Sequence, residues 1–222
     1  MRRAAIVLAV LSLCLASNAR ALTLADLNGG SSFDSSDGTL TFAFDPGSVV
    51  LNGSLPGALT DYLVTPIVGG FQLSGPLAAV NGSLGGLTLA YQVTPDLGLL
   101  LDSASLVITG VAVGASALGA VGVTLSNGAG LGAIVTGFGS DVLADGTSFV
   151  PAAALAVVTS AQLLALGAGE VAVLGSVGQA FGLVAVPELR TGLLLGSGLL
   201  GLALFGAPER RQRASSARRQ RS

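Results

Sequence analysis

Glycine fills 28 of the 165 positions from Leu22 to Val186, more than twice the usual ~7%. Such a chain is a poor helix former, because each interior Gly costs a helix ~1 kcal/mol relative to Ala. Strands separated by tight turns carry glycine easily. The hydrophobic period agrees. In "TLTFAFD", Leu40, Phe42 and Phe44 alternate with Thr39, Thr41 and Ala43. In "LTLAYQVT", Leu87, Leu89, Tyr91 and Val93 alternate with Thr88, Ala90, Gln92 and Thr94. Val121, Val123 and Leu125 alternate with Gly122 and Thr124. This is the two-residue period of half-buried strands. "SLVITGVAV", Ser105 to Val113, is apolar on both faces and reads as a central strand.

Turn signals punctuate these runs: Asp37-Gly38, Asp45-Pro46-Gly47, Asn52-Gly53, Asn81-Gly82, Asn127-Gly128 and Asp145-Gly146. Short strands at this spacing predict an all-β body, an antiparallel β-sandwich or a jelly-roll-like fold. From Pro151 to Gly167 the pattern fits a helix or a strand pair, and the Gly-rich flanks favour strands.

Charge is distributed unevenly. The body holds ten carboxylates and no Arg, Lys or His, whereas six of the chain's ten arginines lie in its last fifteen residues. The whole-chain net charge of −2 therefore conceals an acidic body and a basic tail. An acidic body is repelled by nucleic acid, which rewards Lys and Arg. The side-chain inventory also argues against an enzyme. Ser–His–Asp hydrolysis needs His, Schiff bases need Lys, and zinc sites favour His and Cys. The body lacks all of them, and Cys14 is the only cysteine in the chain. A carboxylate pair can hydrolyse glycosides, but the body holds one Glu, Glu170, and no Trp to stack a sugar. No catalytic, cofactor-binding or metal-ligating residue is predicted.

The two ends read as addresses. Residues 1–21 comprise Arg2-Arg3, an apolar run, and Ala19-Arg20-Ala21, which sets small residues at the positions a signal peptidase reads. That is a secretory signal peptide, with cleavage expected between Ala21 and Leu22 after passage through the Sec translocon. The apolar run is short for an anchor, since ~20 residues are needed to span. A twin-arginine signal fits less well because two arginines ahead of the apolar run are ordinary, and a lipoprotein box at Cys14 because Leu13 stands where a small residue belongs. Residues 22–185 form the exported body, and 186–222 the tail.

Within the tail, residues 192–207 are uncharged and leucine-rich. As a helix they span ~24 Å, under the ~30 Å hydrocarbon core. Seven Leu and one Phe contribute on the order of −4 kcal/mol to insertion, offset in part by five Gly. Residues 208–222 follow, with Arg210, Arg211, Arg213, Arg218, Arg219 and Arg221. These arginines resist translocation, so the tail stops as one transmembrane helix with its end in the cytoplasm.

The order Pro187-Glu188-Leu189, apolar helix, Arg-rich end resembles the PEP-CTERM sorting signal of exopolysaccharide-producing Gram-negative bacteria. Pro187 and Glu188 match the first two motif positions, and Leu189 departs from the usual Pro. The resemblance implies exosortase, a membrane-embedded cysteine transpeptidase, as a partner. It implies a route from the inner membrane to the cell surface or extracellular matrix, with exopolysaccharide as a neighbour. The function expected is that of a structural, non-enzymatic surface protein. A polysaccharide- or calcium-binding module and an unprocessed single-pass membrane protein are the alternatives.

Three further motifs have plainer readings. "GSGLLG", Gly196 to Gly201, has dinucleotide-loop spacing but lies inside the apolar run with no preceding strand. "DSSDG" and "DVLADG" pair carboxylates in Gly turns without matching a calcium loop. Asn52-Gly53-Ser54 and Asn81-Gly82-Ser83 fit a glycosylation pattern but read more simply as hairpin turns.

Overall fold

The computed structural model describes residues 21–186, positions 56 and 140 excepted. Along the chain lie β1 (Leu22–Thr23), α1 (Leu24–Asn28), β2 (Ser32–Asp34), β3 (Leu40–Gly53), β4 (Leu63–Ile67), β5 (Gly70–Val80) and β6 (Ser83–Pro95). There follow β7 (Leu99–Val113), β8 (Leu118–Leu125), β9 (Gly130–Thr136), β10 (Ala144–Ala152), β11 (Leu155–Ala165) and β12 (Val171–Ala185). They form two six-stranded antiparallel sheets packed as a sandwich. The first runs β1-β4-β5-β12-β7-β10 and the second β2-β3-β6-β11-β8-β9. Contacts divide the chain into two units, Met1–Val184 and Ala185–Ser222, and the sandwich belongs to the first.

The two orders correspond slot by slot. β1 leads into β2, β3 into β4, β5 into β6, β7 into β8, β9 into β10, and β11 into β12. Neighbours within each sheet are antiparallel, so all six of these crossings lie at one end. The sandwich is thus six ribbons bent over a common spine. Their corners are laced together. Leu24 donates its amide to the Tyr62 carbonyl, Asn81 to Glu170, Gly82 to Ala165, and Gly137 to Ala117.

Strand alternation fills the space between the sheets. Leu40, Phe42 and Phe44, then Leu87, Leu89, Tyr91 and Val93, then Val121, Val123 and Leu125 are all buried. At the end away from the spine, aromatic rings join the sheets. Phe42 stacks on Phe33 at 5.1 Å and meets Phe71 edge-on at 5.3 Å. Phe71 in turn meets Tyr91 edge-on at 5.4 Å. Such pairs add ~0.5–1.5 kcal/mol each beyond their burial. One polar cluster crosses the core. Gln179 of β12 receives the Tyr91 hydroxyl and exchanges hydrogen bonds with Thr159 at 2.8 and 3.2 Å.

Several sequence expectations need correction. β7 is the central strand expected, between β12 and β10, but its outer face is open instead of buried: Val107, Val111 and Val113 are each at least half exposed. Asp45-Pro46-Gly47 does not end a strand. It forms a bulge within β3, where the pairing with β6 jumps between Phe44 and Val49. Asp145-Gly146 lies inside β10. Asn81-Gly82 has the two positive φ values of a hairpin turn, yet it joins strands of different sheets. The Pro151–Gly167 region holds the end of β10 and one long strand, β11, rather than a pair of its own. The α1 turn went unforeseen. The Thr23 hydroxyl accepts the Asp26 amide at 3.2 Å while the Asp26 carboxylate accepts the Thr23 amide at 3.0 Å, and this reciprocal cap seats Leu24 and Leu27 in the core.

Candidate neutral groove

The outer face of the second sheet carries no charge over β6, β11 and β8, and the one charge on β3, Asp45, lies in its bulge. Inward alternation on β3, β6, β11 and β8 turns the intervening residues outward. Register then sets Asn52, Gly86 and Gln162 in one row. Val50, Thr88, Ser160, Gly122 and Gly132 form the next. Glycines leave a depression wherever a side chain is missing. One groove of about 300 Å³ is lined by Asn52, Gly86, Thr88, Ser160 and Gln162, with Leu84 and Leu118 at its margin. A second of about 450 Å³ lies over Gly122 and Gly132 and shares Ser160 and Gln162. Two amides and two hydroxyls thus face solvent on a glycine floor, without a cation or carboxylate among them. The chemistry available is neutral hydrogen bonding. No aromatic ring lines either groove to stack a sugar: most are buried in the core, and the exposed Phe138 is not among the lining residues.

The carboxylates serve the fold. In "DSSDG", burial of Asp37 opposes ionisation, but hydrogen bonds from Ser35, Thr39 and the Gly69 amide outweigh it and hold the carboxyl below its ordinary value. Those bonds are 2.6, 2.9 and 3.3 Å long, and they tie the β2–β3 loop to the β4–β5 turn. Asp34 accepts the Thr41 hydroxyl at 2.7 Å. In "DVLADG", Asp141 accepts the Thr136 amide and Asp145 the Gly132 amide, both at 2.8 Å. No group of three or more His, Cys, Asp or Glu suited to a metal ion occurs among the described residues.

Glu170 holds the spine. Its carboxylate accepts the Ser116 amide at 2.8 Å, the Ser116 hydroxyl, and the Gly167 amide at 2.7 Å. The Ser116 hydroxyl, then the Ser116 and Gly167 amides, keep its carboxyl below the ordinary range. Gly114 must be glycine here. It sits at φ +115°, and a Cβ would come within 2.3 Å of Glu170 Cγ.

Of the predicted processing residues, Ala21 is exposed and Leu22 opens β1, paired with Val64. Ala19, the motif Pro187, Glu188 and Leu189, and Arg210, Arg211, Arg213, Arg218, Arg219 and Arg221 lie outside the described residues, as do the signal segment and the 192–207 helix. Sequence reading missed Thr88, Ser160 and Gln162 as groove residues. Thr88 was legible as an outward position, whereas Ser160 and Gln162 fell in the Pro151–Gly167 region, and only the strand order brings the three together.

No family model matches the chain, and no curated protein matches it. Among solved structures, it is similar to the enzymatically active domain of tailspike protein 4 of bacteriophage CBA120, at 11% identity and TM-score 0.24, over 60% of this chain and 19% of that one. It is similar to an exo-β-1,3-galactanase from Phanerochaete chrysosporium bound to galactose, at 15% identity and TM-score 0.24, over 68% and 29%. A third similarity is to carbohydrate-binding modules of the β-sandwich superfamily, at 10% identity and TM-score 0.21, over 71% and 58%. The chain spans less than two thirds of each, and likeness at this level carries no functional argument.

Proposed function

We propose that this protein is an exported, non-enzymatic β-sandwich, carried by its tail along a PEP-CTERM and exosortase route to the cell surface or extracellular matrix. The observation that carries the reading is the agreement between architecture and address. The first described strand opens at Leu22 and the last closes at Ala185, the bounds at which the expected cleavage site and the expected tail begin. The body is built to survive outside the cell without disulfides. Its core is continuous across both sheets, and most of its carboxylates accept hydrogen bonds from backbone amides and hydroxyls. Expression in hosts with and without exosortase tests the route. The body should reach the surface or medium in the first and stay with the inner membrane in the second. Equal distribution in the two hosts refutes it.

A second reading is favoured by the groove. Free amides and hydroxyls on an uncharged surface suit a neutral polyhydroxylated polymer, and the acidic body disfavours an anionic one. Affinity electrophoresis through gels cast with a neutral glucan or with alginate tests it. Retardation by the glucan alone, relieved by Gln162→Ala, is the expected result. No retardation by the glucan, or equal retardation of the variant, removes the groove as a binding site.

A further inference from the structure

Each of the four asparagines after the signal segment, Asn28, Asn52, Asn81 and Asn127, is followed by glycine. Such pairs can cyclise. The glycine nitrogen, giving its proton to a base, attacks the asparagine side-chain carbonyl carbon. A carbon–nitrogen bond forms, the bond to the side-chain nitrogen breaks, and ammonia leaves. Water then opens the cyclic imide to aspartate or isoaspartate. The reaction needs a free side-chain amide, a free glycine N–H and rotation of the backbone between them.

Three of the sites are locked. Asn28 accepts the Val49 amide at 3.0 Å, and Gly29 donates to Asp26. Asn127 accepts the Ala129 amide at 3.0 Å, and Gly128 donates to Leu125. Asn81 accepts the Gly169 amide at 2.9 Å, while Gly82 donates to Ala165 and Asn81 itself to Glu170. Cyclisation at Asn81 would have to dismantle the spine.

Asn52 differs on each count. It is exposed, and its side chain has no hydrogen-bond partner among the described residues. Ser54 donates its amide to the Leu84 carbonyl. In an antiparallel ladder this makes Ser54–Leu84 a bonded pair and leaves the preceding pair, Gly53–Gly85, unbonded. By this parity the Gly53 N–H points away from β6, toward the edge of the sheet, and Gly53 itself turns out of the regular strand at φ +71°. Val49, of the same parity, points that way too, and its amide is taken by Asn28. Gly53 lies about 13 Å farther along the strand, and β2 pairs with β3 only at residues 41–43. Rotation at Asn52 opens the end of β3, whose last bonds run from the Ser54 amide and hydroxyl to the Leu84 carbonyl, and strand ends fray most readily.

We propose that Asn52-Gly53 is a self-modification site, the first of the four pairs to convert, and that its conversion places a carboxylate on the wall of the neutral groove. The inference is independent of what the groove binds. The test is timed incubation of the purified protein at mildly alkaline pH, with peptide mapping that separates aspartate from isoaspartate. A parallel incubation is run in denaturant. In the native protein the Asn52 peptide should convert at least about tenfold faster than those of Asn81 and Asn127, since each of the latter must first release two or more hydrogen bonds. In denaturant the four rates should converge. Level rates in the native protein, an earlier conversion at another site, or an unchanged spread in denaturant would overturn the proposal.

Discussion

Glu170 is the body's only glutamate and accepts three hydrogen bonds where two ribbon corners meet. Its carboxyl is depressed below the ordinary 4.5. A group depressed in the folded state contributes stability that is present above the unfolded value and is lost as pH falls through the folded one. Acid should therefore loosen the spine below about pH 4.5. Glu170→Gln turns an amide NH2 toward the Ser116 and Gly167 donors, so the variant should unfold at lower urea than wild type at pH 7. Its urea midpoint should also fall less between pH 6 and pH 3. An unchanged pH slope in the variant would assign the acid sensitivity elsewhere. The core polar cluster behaves differently, because burial drives the Tyr91 phenol well above its usual range and keeps it neutral. Tyr91→Phe leaves the Gln179 carbonyl with Thr159 as its remaining donor and should cost about 1–2 kcal/mol in equilibrium denaturation. A cost near zero would mean that the hydroxyl bond adds nothing net.

At the scale of elements, local pattern told which residues face inward but not where each strand goes. The alternating runs at Leu40, Leu87 and Val121 were legible because burial on one face imposes a period of two. Turn chemistry was misleading for a physical reason. Positive φ at a glycine serves a hairpin, a bulge or a corner equally well. Gly47 lies in a bulge and Gly82 at a crossing between sheets. The groove was hidden for the same cause, since Asn52, Thr88, Ser160 and Gln162 come from three strands whose order is non-local. Close packing of the corners gives a sharp contrast between two glycines. A Cβ on Gly137 would lie 1.8 Å from the Gly114 carbonyl oxygen, whereas one on Gly132 meets nothing within 4 Å. Gly137→Ala should destabilise by about 2 kcal/mol or more, and Gly132→Ala should stay within about 0.5 kcal/mol of wild type. Denaturant midpoints check both, and equal effects would contradict the interlocked spine.

At the scale of the whole molecule, the proposed export route assigns an address to each end of the chain. The departure at Leu189 matters at this scale. A proline there would push Glu188 toward extended angles and keep the proposed membrane helix from growing back through the motif. With Leu189, the helix can start near Pro187, since proline is tolerated in the first turn. Leu189→Pro should therefore speed processing in a host with exosortase, and pulse-chase gels read the rate. Equal or slower conversion would show that the third position is not read through backbone shape. The central claim, an exported body released from its tail, is tested most directly by intact-mass analysis of the protein recovered from the surface fraction. The account predicts a chain that begins at Leu22 and ends near Pro187, without the 192–207 segment or the terminal arginines. A surface species that begins at Met1 or still carries Arg210 to Arg221 would contradict it.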